Sequence, residues 1–208
     1  MNDRFTRRSA LRTGLALGTL AASGLPAFAQ EEERKVVEMF KGEAEAPVTV
    51  IEYASFTCPH CANFHKTVFP QIRANFIDEG KVKFVMREVY FDRFGLWAGM
   101  LARCGGEMRY FGIVDILFEK QKEWIGNGEP ATVIQNLYGI GRQAGLTQED
   151  MEACLQDKAF AEALVAEYQK NATADEVSGT PSFVVNGEKV KNMDYEPFAD
   201  LLNSKLES

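Results

Sequence analysis

Two cysteines separated by two residues, Cys58-Pro59-His60-Cys61, constrain this chain more than any other feature because of where they stand. They follow directly on the apolar run Val48-Thr49-Val50-Ile51-Glu52-Tyr53-Ala54, and after them Phe64, Val68, Phe69, Ile72 and Phe76 recur at helical spacing. A nearly continuous apolar run reads as a strand covered on both faces, and the recurrence as a helix. Thiols in the first turn of a helix can close a small disulfide ring. The first of them lies at the positive end of the helix dipole, among backbone N–H groups without partners, which favours thiolate over thiol. The motif is therefore predicted to be a redox centre with Cys58 as the reactive sulfur. His60 is a second donor or cation beside it, and Cys61, one turn in, is the more buried resolving thiol. The same residues allow a zinc or copper site, with His65 as a third ligand. A structural tetrahedral site needs a fourth ligand, and Cys104 and Cys154 stand singly rather than as a second close pair.

Residues 1–29 read as an export signal. Arg4, Arg7, Arg8 and Arg12 precede a Leu/Ala/Gly stretch from Thr13 to Leu25, too short to span a membrane, which ends in Ala27-Phe28-Ala29, an A-x-A cleavage site. Arg7-Arg8 fits a twin-arginine address. Export of this kind predicts a periplasmic mature chain in an oxidising compartment, where disulfides persist. The whole chain carries a net charge of −7; the signal holds four Arg against one Asp, so removing its three surplus positive charges leaves −10. Such a surface argues against nucleic acid and anionic membrane as partners.

The pattern along the rest of the chain is strand, then helix, then strand. Val36 to Phe40, Val48 to Ala54 and Val82 to Val89 read as strands, with Pro70 predicted to kink the helix between the last two. From Asp92 to Glu176 the pattern is helical throughout. Trp97, Met100, Leu101 and Cys104 share one helix face; Ile113, Ile116, Leu117 and Lys120 another; Ala131 to Ala144, a start at Thr147, and Lys158 to Ala174 follow. Ser182 to Val185 and Glu188 to Lys191 flank Asn186-Gly187, a strong hairpin signal, and Asp194 is placed to cap a last helix to Leu206. This predicts an α/β domain in two stretches, 30–91 and 177–208, interrupted by a helical insertion, 92–176.

With these features in order, the chain resembles the DsbA-like branch of the thioredoxin superfamily. The likeness rests on Glu52 six residues before Cys58, the Cys-Pro-His-Cys centre, the helical insertion, and Gly179-Thr180-Pro181 leading into a strand. It implies a thioredoxin fold with an inserted all-helical subdomain, and a protein disulfide oxidoreductase that gives its Cys58–Cys61 disulfide to exported proteins through a mixed disulfide at Cys58. It implies no cofactor beyond that disulfide and no metal, a quinone-linked membrane partner of DsbB type that reoxidises the pair, thiol-bearing unfolded proteins as substrates, and a monomer. Pro181 is expected to be cis and to face the disulfide, with Thr180 offering backbone groups to an extended substrate strand. Glu52 matches the family's buried acidic residue that assists proton movement at the inner thiol, with Arg87 in the next strand as a candidate partner; a solvent-facing Glu52 is the alternative.

Two features depart from the archetype. Thr before the proline is more typical of reductase and isomerase relatives, which would be kept reduced by a membrane partner, although an added N-terminal dimerisation domain finds no room before the first strand. Cys104 and Cys154 are the second departure. With the active centre at 58 and 61, a Cys104–Cys154 bridge in an oxidising compartment is expected, and two buried free thiols are the other reading.

Overall fold

Strand β2, Val48–Ala54, is the axis of the fold, and four other strands are ordered around it in the computed structural model, which describes residues 35–207. The predicted export signal, 1–29, lies outside the described residues, as does most of the charged lead-in after it. The sheet has the order β1 (Met39–Lys41), β3 (Val82–Glu88), β2, β4 (Ser182–Val185), β5 (Glu188–Val190). β2 runs parallel to β3 and antiparallel to β4, with Glu52 opposite Met86 on one side and Phe183 on the other. The first strand is shorter than its apolar run suggested, because only Met39, Phe40 and Lys41 pair with β3. At Asn186-Gly187 both residues have positive φ, 46° and 83°, as a tight hairpin turn between twisted strands requires.

Alternation along β2 sorts its side chains between two cores. Val48, Val50 and Ala54 join Phe84, Met86, Phe183 and Val185 in the larger core, beneath the helix that follows β2 and the last helix of the chain. Tyr53 points the other way, into a small cluster with Val89, Val184 and residues of the long helix Lys158–Ala174. The sheet is thus covered on both faces, the reason its central strands carry so few polar residues.

Helix α1, Pro59–Thr67, starts at the cysteine motif with Cys58 as its N-cap. The helix does not continue through Pro70. It breaks at Val68, restarts as α2, Phe69–Ile72, with Pro70 in its first turn, and runs into a π-helical turn, Arg73–Ile77. Proline has no N–H to give the preceding turn, so it serves at a helix start and not within one. Between β3 and β4 stand six helices: α3 (Arg93–Cys104), α4 (Gly106–Glu119), α5 (Gln121–Ile125), α6 (Pro130–Gln143), α7 (Gln148–Leu155) and α8 (Lys158–Ala174). Thr147 caps α7 through its side chain, which accepts from the Asp150 N–H. Asp194 holds the N-cap position of α9, Tyr195–Leu206, with extended backbone and no side-chain cap bond.

The insertion is fastened to the sheet by a buried ion pair. Arg103 of α3 grips Glu88 at the end of β3 with two bonds of 2.7 and 2.6 Å, while the Tyr110 hydroxyl of α4 donates to the same carboxylate at 2.7 Å. Both charged side chains are almost fully buried, at 6% and 3% exposure. On α3 and α7 the Cys104 and Cys154 sulfurs are bonded to each other, their Cα atoms 6.1 Å apart and 50 residues apart in sequence.

Candidate active site

The cysteine pair sits where the C-terminal end of β2 turns into α1. A tight turn, with the Cys58 N–H donating to Ser55 O at 3.1 Å, brings the chain off the strand, and Cys58 has extended backbone (φ −82°, ψ 119°) before Pro59 opens the helix. Cys58 is partly exposed and Cys61 is buried, both as free thiols. Two residues of the insertion hold this turn. Gln121, almost fully buried, donates both to Phe56 O at 2.8 Å and to Cys58 O at 2.9 Å. Asp92, the N-cap of α3, accepts from the Thr57 hydroxyl at 2.6 Å. Neither stood out in the sequence; the available signal was a lone Gln beside apolar helix positions, which is also how a solvent-facing residue looks.

The two thiols are driven apart in acidity. The Cys61 thiol donates a hydrogen bond to Cys58 and lowers its pKa to about 5; the Thr180 hydroxyl and the backbone N–H groups of Cys61 and His60 act in the same direction, against the effect of burial. Cys61 is pushed far up by giving that bond, by burial, and by the charges of Glu52 and Cys58. His60 therefore acts on Cys58 through its backbone N–H, and its imidazole lies in solvent. The Thr180-Pro181 peptide is cis and lies against the motif: as a thiol, Cys58 donates to Thr180 O at 3.4 Å. Among the described residues the buried Thr180 hydroxyl has no other hydrogen-bond partner, so it can turn to the sulfur once Cys58 ionises.

Glu52 is fully buried on the face of β2 that lies under α1. Its partner is His65: Nε2 of His65 is 2.8 Å from Glu52 Oε2. Arg87, the candidate partner in the next strand, is on the wrong face. It sits opposite Tyr53 in register, bonds the Tyr53 hydroxyl at 2.8 Å, and pairs with Glu38 at 2.7 Å and Asp175 at 3.1 Å. Side chains one residue apart on a strand face opposite ways, so a residue level with Tyr53 cannot reach Glu52. His65, considered as a third metal ligand, is instead the buried neighbour of Glu52, its ring stacked on Phe118 at 4.1 Å between centroids. Among the described residues no helix is long and apolar enough to cross a membrane.

Residues 34–204 match the thioredoxin family. A putative protein-disulfide oxidoreductase of Rickettsia bellii is 33% identical over 171 residues, 82% of this chain and 65% of that protein. Disulfide bond formation protein D of Bacillus subtilis is 27% identical, over 79% of this chain and 75% of its own length. The chain thus spans about 60 to 65% of the length of the Rickettsia proteins it matches. Of solved structures, alpha-DsbA1 of Wolbachia pipientis superposes with a TM-score of 0.77 at 26% identity, covering 82% of this chain and 91% of that one. A strand, a cysteine pair at the start of the following helix, a cis proline beside it and six inserted helices, together with the family match over residues 34–204 and the superposition on alpha-DsbA1, mean that the chain belongs to the thioredoxin family and to its DsbA-like branch.

Proposed function

We propose that this protein is a thiol-disulfide oxidoreductase that introduces disulfides into exported proteins. The observation that carries the reading is the opposite displacement of the two thiols, Cys58 down to about 5 and Cys61 far up, at one turn's separation. A substrate thiolate attacks Cys58 Sγ, the Cys58–Cys61 bond breaks, and its electron pair leaves on Cys61, which gains a proton. The second substrate thiolate then attacks the substrate sulfur of the mixed disulfide. Cys58 leaves as a thiolate, and a thiol of low pKa leaves faster. The substrate ends with one new disulfide and the enzyme with two reduced cysteines.

Stabilising the Cys58 thiolate stabilises the reduced enzyme and so makes the disulfide more oxidising. Thr180, beside Cys58, offers backbone groups to an extended substrate strand, and Pro181 closes that side of the site. Reoxidation falls to a quinone-linked membrane partner. The paired arginines and A-x-A site of residues 1–29 support a periplasmic location, and the names of the Rickettsia and Bacillus relatives support disulfide chemistry. The Cys104–Cys154 bridge is structural in this reading. The test is to mix the oxidised protein with a reduced, unfolded protein that needs one disulfide, quench with acid, and count disulfides in both. Oxidation of the substrate matched by two new thiols at Cys58 and Cys61 is expected; no transfer, or transfer that survives Cys58→Ala, would refute it.

A further inference from the structure

Cys61 gains or loses a proton in every exchange, yet it is fully buried, and so is the carboxylate beside it. Burial of Glu52 also removes it from water, so a proton that reaches Glu52 needs another carrier. One is in place. His65 lies one turn after Cys61 on α1, bonds Glu52 Oε2 through Nε2, and forms part of the wall of an open groove of about 800 Å³ between α1–α2 and α4–α5. Among the described residues its other ring nitrogen, Nδ1, has no hydrogen-bond partner, and neither has Glu52 Oε1. A buried donor or acceptor left unpaired costs about 1–3 kcal/mol, so two such atoms at opposite ends of one hydrogen bond ask for a reason.

We propose that His65 is a positioning and proton-carrying residue that links the Glu52 carboxylate, and through it Cys61, to the water of this groove. The inference rests on the thiol-disulfide exchange proposed above. When substrate attack releases Cys61 as a thiolate, a proton enters at His65 Nδ1, the Nε2 proton passes to Glu52 Oε2, and the carboxyl delivers one proton to Cys61. Reoxidation runs the same path outward, so one proton enters and one leaves per cycle. Cys61 is a poor leaving group because its buried thiolate is strongly basic, so proton delivery coupled to S–S cleavage speeds exchange. Glu52 of β2 faces His65 directly, and the charged groups that line the groove with it are Asp115 and Glu119 from α4, Lys120 and Glu123 at α5, Lys66 on its own helix, and Arg73 and Asp78 at the π turn. Burial raises the Asp115 carboxyl from its ordinary value, and His65, Arg73 and Lys41 draw it back, so a carboxyl group stands at the groove end of the path. The stack on Phe118 and the contact with Phe69, 4.8 Å between ring centroids, hold the imidazole edge-on to Glu52.

The test is the rate at which dithiothreitol reduces the Cys58–Cys61 disulfide, measured by rapid quench between pH 5 and 8, with and without added imidazole, for the native protein, His65→Gln and Glu52→Gln. General acid catalysis contributes on the order of 100-fold or more, and water penetration makes up part of that, so a loss of about 10-fold or more is expected in both variants. With each rate divided by the dithiothreitol thiolate concentration at that pH, the variants should also lose the remaining pH dependence of the native protein, and imidazole should restore His65→Gln but not Glu52→Gln. Glu52→Gln keeps a hydrogen-bonding group against His65, so it still decides the matter where His65→Gln fails to fold. An unchanged rate, or a lower rate with the native pH profile and no response to imidazole, would overturn the relay and leave the exchange reading standing. A native disulfide that exchanges with no thiol would overturn both.

Discussion

Replacing Cys61 by Ala removes the donor that contributes most to the acidity of Cys58. A hydrogen bond to a charged group is worth about 1.5–3 kcal/mol, and one pKa unit corresponds to about 1.4 kcal/mol, so the loss amounts to roughly one to two units. Cys58 starts at about 5. In the variant it should titrate between about 6 and 7, still below a free thiol near 8.5, because the helix terminus, the Thr180 hydroxyl and the backbone N–H groups remain. Cys58 is then the one free thiol, since Cys104 and Cys154 are bonded. Thiolate absorbance in the ultraviolet, followed from pH 3 to 10, reads it directly. Cys61→Ser restores a donor and should fall between the native protein and Cys61→Ala. A value still near 5 in Cys61→Ala would show that the backbone alone sets the acidity, and a value at or above 8.5 that the helix start contributes nothing.

The acidity has a consequence for stability. The folded pKa of Cys58, about 5, is depressed from an ordinary value of 9.0, so its contribution is full above that ordinary value and is lost as pH falls through 5. From pH 7 to below 5 the ideal loss is about 2.7 kcal/mol, and solvent screening at this partly exposed sulfur cuts it to about 1.4. Urea unfolding should show the reduced protein losing that much against the oxidised one, whose pair does not titrate; a gap that stays constant or moves the other way would contradict the assignment. Arg103→Met strands Glu88 with only Tyr110 as partner and should cost about 3–5 kcal/mol by thermal or urea unfolding, while a change under 1 kcal/mol would show the pair is not holding the insertion. The Cys104–Cys154 bridge closes a loop of about 50 residues, worth roughly 4 kcal/mol by chain entropy. It should stay closed when mild reductant opens Cys58–Cys61, which mass mapping after alkylation checks.

Much of this fold was legible because its signals are local. The run into Cys58, the cysteine spacing and the Asn186-Gly187 turn each act within a few residues, and each produced the element expected of it. The helical insertion was readable for the same reason. What was hidden depends on three-dimensional facing. Arg87 is next to the correct register position for Glu52 yet one residue out of phase, which on a strand means the opposite side of the sheet. His65 reads as a metal ligand because of its distance from Cys61 along the chain, but Glu52 is on the strand below the same helix face and takes its Nε2. Gln121 reaches back over more than sixty residues to hold the Phe56 and Cys58 carbonyls, and no periodicity encodes such a reach. His60 was the conspicuous charge by the cysteines, whereas its exposed ring leaves the larger influence to the Cys61 thiol.

The central claim is that a Cys58 thiolate held low in pKa makes the Cys58–Cys61 disulfide an oxidant of protein thiols. The equilibrium of the purified pair with mixtures of reduced and oxidised glutathione tests it most directly, with the two states resolved by alkylation and mass at pH 7. The account predicts a pair that is more than half reduced in a buffer poised at the potential of glutathione. A pair that stays mainly oxidised in that buffer, as a stable structural disulfide does, would contradict it.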